Sequence, residues 1–205
     1  MDQLLPAHYY HIYNHANGNE NLFLENDNYR YFLQQYEKHI QPVADTLAYC
    51  LMPNHFHLLV KIRPFVTDLP GFENLEGLSN VEGLVTPAFV SKRFSNLFNS
   101  YTKAFNKKYD RMGSLFRKNF RRKQITSETQ LVSTLIYIHV NPVHHGFTDQ
   151  FTDWQWSSWH SLVDGTDSFL RRDEVLRLFG NVNEITKRHI LTEKEKLRRM
   201  ALELE

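Results

Sequence analysis

Two histidines, His55 and His57, flank one apolar residue in Met52-Pro53-Asn54-His55-Phe56-His57-Leu58-Leu59-Val60. On a strand, alternate side chains leave the same face, so both imidazoles point one way while Phe56 points the other, into a core. Two imidazoles so placed are half of a divalent-cation site. The same spacing also describes two histidines on a half-buried strand with no ligand, so the pair needs a second half.

That second half lies in Ser127-Glu128-Thr129-Gln130-Leu131-Val132-Ser133-Thr134-Leu135-Ile136-Tyr137-Ile138-His139-Val140-Asn141-Pro142. Ser127 with Gln130 reads as a capping box, and Leu131, Leu135 and Ile138 keep helical apolar spacing. Pro142 predicts the helix end near Asn141, because the residue before a proline is pushed out of the helical region. Ser133, Tyr137 and Asn141 then share one face. From spacing alone Tyr137 is either a core aromatic with its hydroxyl tied down or a reactive group facing the histidines. His139, His144 and His145 read as surface or nucleic-acid-facing side chains rather than ligands.

The net charge of +1 conceals an asymmetry. Between Lys92 and Lys123 stand eleven Lys/Arg and one acid, Asp110, whereas the rest of the chain carries thirteen Lys/Arg against twenty-two acids. Such a stretch, interleaved with Phe94, Phe98, Tyr101, Phe105, Tyr109, Phe116 and Phe120, suits a phosphate backbone. Lys92, Lys103, Arg117, Lys118, Arg121, Arg122 and Lys123 are the candidate DNA contacts, with the aromatics read as ordinary core.

The elements that must position these groups follow from local signals. Strand composition over His8–Ala16 precedes a turn at Asn17-Gly18-Asn19, and Asp27 is placed to cap a helix through Ile40. Ala44–Met52 and His55–Arg63 read as paired strands around Pro53-Asn54. Thr86 at the N-cap and Pro87 at the first helical position open a helix with Val90, Phe94, Leu97, Phe98, Tyr101 and Phe105 on one face. Leu115–Ile125 reads as a strand, followed by the tyrosine helix. The order β-α-β-β-α-β-α contains the split βαβ pattern of ferredoxin-like folds, an α+β class.

At 205 residues and 41% hydrophobic content the chain can bury one good core. The single cysteine, Cys50, allows no intrachain disulfide and reads as a small strand hydrophobe. No apolar run approaches membrane-span length and the start lacks a leader pattern, so the expectation is a soluble, cytoplasmic, nucleoid-associated protein with no membrane partner. Gly71–Glu76 and Gly77–Glu82 form a short repeat inside an insertion at about 66–86, read as an acidic flexible loop or short hairpin without chemistry of its own. Arg171–Phe179 has short-helix spacing ended by Gly180. Asn183–Glu205 is a charged helix, with Leu197, Ala201 and Leu204 on one side and Glu195–Arg199 as an ion pair, that packs on the body or dimerises.

Four motifs in order carry a resemblance: Met52–Val60, Gly113-Ser114-Leu115-Phe116, Tyr137-Ile138-His139-Val140-Asn141-Pro142-Val143 and Trp156-Ser157-Ser158. Over about Tyr9 to Trp159 the chain resembles the REP-associated tyrosine transposases of the single-tyrosine HUH superfamily. The resemblance implies a ferredoxin-like antiparallel sheet with helices on one face, a domain over residues 1–160, and a helical C-terminal extension over 161–205. It implies Tyr137 as nucleophile, His55, His57 and Asn141 as ligands to Mg²⁺ or Mn²⁺, and cleavage and rejoining of single-stranded hairpin DNA through a 5′-phosphotyrosine, by a monomer or homodimer. His144-His145 stands where the family commonly shows Arg-Ala, and Asn14-His15-Ala16-Asn17 replaces the arginine of an Asn-Arg-Gly-Asn pattern. Two other classes stay open: a domesticated, non-cleaving hairpin-DNA-binding regulator, and a metal-dependent hydrolase using activated water with Tyr137 structural.

Overall fold

The computed structural model describes residues 2–65, 85–166 and 169–202, with side chains described through residue 195. The insertion repeat, and the apolar side and ion pair expected near the C-terminus, lie outside those residues and side chains. The element order is β1 (Tyr9–His15), α1 (Asn26–Ile40), β2 (Ala44–Met52), β3 (His55–Ile62), α2 (Pro87–Lys108), β4 (Arg121–Ile125), α3 (Glu128–His144), α4 (Trp159–Asp164), α5 (Arg172–Phe179) and α6 (Val182–Leu202). The four strands form one antiparallel sheet in the order β2-β3-β1-β4, the ferredoxin-like arrangement.

Period-two alternation divides the sheet into two faces. Tyr10, Ile12, Phe56, Leu58 and Val60 pack with α1 and α2 in one core. There Phe56 contacts Phe32 and Phe98, and removing its ring would cost about 3–5 kcal/mol. The opposite face packs Ala48, Cys50, Met52 and Leu59 against α3 and the C-terminal helices. The ferredoxin-like helices α1 and α2 thus cover one face as expected, and α3 is added on the other. Cys50 is fully buried, and burial pushes its thiol well up.

Local signals acted in physical detail. The Thr86 side chain accepts from the Phe89 N–H at 3.2 Å. Ser127 likewise caps α3, while Gln130 reaches back to the Thr126 N–H rather than to Ser127. Helix α1 is capped by Glu25 with Asn28, not by Asp27, which lies inside the first turn and pairs with Arg30. Helix α3 continues through Pro142 to His144. In a last turn, proline's fixed φ is helical and it forfeits only one hydrogen bond. The stop comes instead from Gly146 at φ +68°, with Gly146 N–H donating to Val143 O and Phe147 N–H to Pro142 O, a Schellman closure. The expected strand over Leu115–Ile125 is shortened to β4, because Asn119 at φ +64° breaks the extended run.

The quoted motifs serve as joints. Asn17 side-chain and main-chain N–H groups donate to Ser114 O and Leu115 O, fixing the end of β1. Along the outer edge of β2, Leu51 N–H donates to Trp156 O and Tyr49 N–H to Ser158 Oγ. At the β4 edge, the Gln124 N–H donates to Asp2 Oδ2.

Candidate active site

Strand β1 lies between β3 and β4, and its alternation sends His11, Tyr13 and His15 to the α3 side of the sheet. Tyr13 stands opposite His57 and His15 opposite His55. The result is a cavity of about 550 Å³ whose lining includes His11, His15, His55, His57, His145 and Tyr137. Tyr137 projects from α3 with its ring edge-on to His57 at 5.5 Å and to His11 at 5.9 Å. The histidine pair and the tyrosine, far apart in the chain, therefore face one space. Lys123 lines the same cavity from β4.

The hydrogen bonds assign the imidazole nitrogens. Asn54 Oδ1 can only accept, so His55 donates to it through Nδ1 at 2.7 Å and keeps a lone pair on Nε2. That Nε2 is buried without a partner. His57 Nδ1 is engaged by His11 Nε2 at 2.8 Å. Burial, reinforced by neighbouring imidazoles, pulls His55 down to about 3 and His57 to about 2. Burial also takes His11 to about 4, with Lys123 acting the same way. All three are neutral donors of lone pairs at neutral pH.

Tyr137 is half-buried, and burial raises its hydroxyl while the contact with Asn141 pulls partly the other way. Asn141 is fully buried and neither of its amide atoms makes a well-formed hydrogen bond; its Tyr137 contact falls short of that geometry. Among the described residues no group of three His, Cys, Asp or Glu side chains is arranged to hold a metal. A cation here would rest on two imidazoles and the amide oxygen, a donor set matching the atoms left unsatisfied at His55 and Asn141.

The basic stretch divides. Arg93 donates to His39 O and Lys38 O at the end of α1, Arg111 pairs with Glu20, and Lys108 pairs with Glu25. These three cations are spent on the fold. Arg117, Lys118 and Arg122 border a second cavity on the α2 side of β4. Lys92, Lys103 and Arg121 are exposed and line neither cavity.

Sequence reasoning missed His11, Tyr13 and His15, although their alternation with buried Tyr10, Ile12 and Asn14 was readable. Of the three later histidines, His145 reaches the cavity, with its ring 4.7 Å from His55. His144 is exposed, as expected. His139 is neither surface nor ligand: it is fully buried, its Nε2 meeting Ser158 Oγ at 2.7 Å and its Nδ1 meeting His189 Nε2 of α6 at 3.0 Å.

This fold and site define a ferredoxin-like domain with a His-x-His strand facing a helix-borne tyrosine. A curated Haemophilus influenzae protein provisionally named REP-associated tyrosine transposase is 30% identical over 122 residues, 58% of this chain. The chain spans about 61% of that relative's length. A solved structure of a REP-associated tyrosine transposase bound to a REP hairpin matches with TM-score 0.58 at 16% identity, covering 82% of this chain and 87% of that one, a likeness of fold. A bacterial tRNA(His) guanylyltransferase-like protein in complex with GTP matches at TM-score 0.44 and 10% identity, over 71% of this chain and 67% of that one, too weak to carry an argument. No family model matches the chain. In sequence and in fold, the chain resembles the REP-associated tyrosine transposases. Among the described residues no helix is long and apolar enough to cross a membrane.

Proposed function

We propose that this chain cuts and rejoins single-stranded DNA beside a hairpin, with Tyr137 as nucleophile. The observation that carries the reading is the shared cavity, in which Tyr137 faces His57 while His55 Nε2 is buried and unpaired. The hairpin as substrate is carried over from the solved relative, which holds one. Residues 1–160 form the proposed nuclease domain, with the insertion at 66–86, and 161–205 its helical extension.

His55, His57 and Asn141 would hold Mg²⁺ or Mn²⁺, since an amide oxygen suits a hard cation better than imidazoles alone do. Such a cation, when bound, supplies charge neutralisation at the scissile phosphate and favours phenolate nearby. The chain's own residues do the rest. Helix α3 presents the Tyr137 oxygen, which is raised above its ordinary pKa of about 10 and so needs help to ionise. The tyrosine oxygen forms a bond to phosphorus as the bond to the 3′ oxygen breaks, and the proton lost by the tyrosine hydroxyl is balanced by one gained, by way of solvent, at the departing oxygen, leaving a 5′-phosphotyrosine and a free 3′-OH. Reverse attack by that hydroxyl restores the tyrosine and rejoins DNA without ATP. His11 holds His57 through its Nδ1, and Asn54 holds His55, so each imidazole keeps one orientation.

The test is to trap a covalent adduct on a 3′-labelled hairpin oligonucleotide, whose label stays on the tyrosine-linked fragment, and locate the modified residue by peptide mapping. An adduct at Tyr137 is expected. Strand cleavage without any adduct would instead favour water as the nucleophile.

A further inference from the structure

Ser158, the last residue of the Trp156-Ser157-Ser158 motif, is fully buried and does not line the tyrosine cavity. It is a joint between the sheet and α3. Along the outer edge of β2 its N–H donates to Tyr49 O at 2.9 Å, and its Oγ accepts from the Tyr49 N–H at 2.9 Å. Tyr49 precedes Cys50, the residue paired with His57 across β2 and β3. From the other side, Ser158 Oγ meets His139 Nε2 of α3 at 2.7 Å.

The direction of that bond is fixed from its far end. Ile185 O can only accept, so His189 donates to it through Nδ1 and accepts on Nε2 from His139 Nδ1. His139 Nε2 therefore carries a lone pair, and the Ser158 hydroxyl donates to it.

His139 stands two residues after Tyr137, about 200° round the helix axis. The rotation of α3 that seats His139 on one side thus sets where Tyr137 points on the other. Elsewhere α3 meets the sheet through apolar side chains, with Leu135 and Ile138 in one core with Ala48 and Cys50. Such burial is non-directional, whereas a hydrogen bond weakens steeply as it bends. Turning the helix by about 10° would carry the tip of a tyrosine by roughly 1 Å, a misplacement that can cost about 10²-fold in rate.

We propose that Ser158 and His139 are positioning residues for the nucleophile: their hydrogen bond locks the rotation of α3 against β2 and β3, and so holds the Tyr137 oxygen toward the space that His55 and His57 face. This role rests on the cleavage reading above and adds two residues that touch neither DNA nor cation.

The test follows single-turnover cleavage of a 3′-labelled hairpin oligonucleotide by the full chain in Mn²⁺, at protein concentrations that saturate the DNA, beside separate measurements of hairpin and Mn²⁺ affinity. Ser158→Ala and His139→Leu, each of which deletes the bond, are expected to slow cleavage by about 10–100-fold, with both affinities within about twofold of wild type. His139→Gln keeps an acceptor for Ser158 and a donor for His189, and should cleave within about threefold of wild type. The double variant Ser158→Ala/His139→Leu should lose no more than the slower single variant, because one bond is lost only once. Ile185→Val, which loosens the buried core between α3 and α6 without touching the bond, should leave the rate unchanged. If Ser158→Ala fails to fold, His139→Gln against His139→Leu makes the same comparison. A wild-type rate in His139→Leu, an equal loss in His139→Gln or Ile185→Val, or losses that multiply in the double variant overturn the positioning role and leave the cleavage reading standing. Absence of cleavage by wild type overturns the reading itself and the positioning role with it.

Discussion

Helix α3 touches two histidine clusters that differ in one respect. On the cavity side, His55 Nε2 is buried with no partner. On the far side, a directed chain uses every nitrogen: Ser158 O–H donates to His139 Nε2, His139 Nδ1–H to His189 Nε2, and His189 Nδ1–H to Ile185 O at 2.8 Å. Both clusters are neutral, because burial dominates in each. Hydrogen-bonding capacity left over, rather than burial or residue type, distinguishes a group available to a ligand from one that joins α3 to α6 and to the β2 edge.

The largest effect should come from the cavity side. Tyr137→Phe removes only the attacking hydroxyl, so cleavage of a hairpin oligonucleotide should fall by about 10³-fold or more while affinity stays nearly unchanged. Retained cleavage by the variant would sink the covalent mechanism and reduce Tyr137 to a packing residue.

Next come the imidazoles. His55→Ala and His57→Ala should each lower cleavage by orders of magnitude and abolish Mn²⁺ binding measured by calorimetry without DNA. Asn141→Ala should cost less, because water can replace one oxygen ligand. His11→Ala, which only frees His57 to rotate, should weaken Mn²⁺ binding by roughly 10–100-fold. Equal losses for His11 and His57 would make His11 a ligand rather than a positioning residue.

How much of this contrast was legible in the sequence depended on distance along the chain. The element order followed from caps and alternation, since Thr86-Pro87 and Ser127 act within a few residues of themselves. That His55, His57 and Tyr137 face one cavity could be anticipated because two short motifs each carried part of its lining. The His139–His189 contact was not readable, because fifty residues of chain separate partners that meet only when α6 docks on α3. Asn119 and Pro142 misled for a related reason. A proline in the last helical turn and an asparagine at positive φ are tolerated according to the backbone the fold requires there.

The closed cluster yields a pH prediction of middle size. Burial lowers His189 in the folded chain to about 4, against about 6.5 for an exposed imidazole. The unfolded chain therefore binds the proton first as pH drops. The stabilising contribution is whole above about pH 6.5, is lost progressively down to about pH 4, and changes no further below that; it is on the order of 3 kcal/mol. His189→Gln keeps an acceptor for His139 and cannot protonate there. Its denaturant-derived stability should vary less between pH 7 and 4 than wild type's, and parallel curves would mean that α6 is held by other contacts.

The smallest effect extends the same criterion from imidazoles to cations. Arg93, Lys108 and Arg111 have spent donors on carbonyls and acids of the fold, whereas Arg117, Lys118 and Arg122, with Arg117 Nε donating to Ala16 O and Arg122 to the Ser91 hydroxyl, border a cavity with no acid among its described lining residues. Each phosphate contact on a single strand adds about −0.7 to the slope of log affinity against log salt. Replacing Arg117, Lys118 and Arg122 together by glutamine should therefore flatten that slope by about 2. The weakening should be alike on hairpins of different sequence, because phosphate contacts position the chain and carry little sequence information. Arg93→Gln should leave the slope alone and lower stability instead, since its guanidinium ties α2 to the last carbonyls of α1. An unchanged slope in the triple variant would mean that leftover donors at this edge face only water, and that the criterion separating the two histidine clusters does not carry over to the surface.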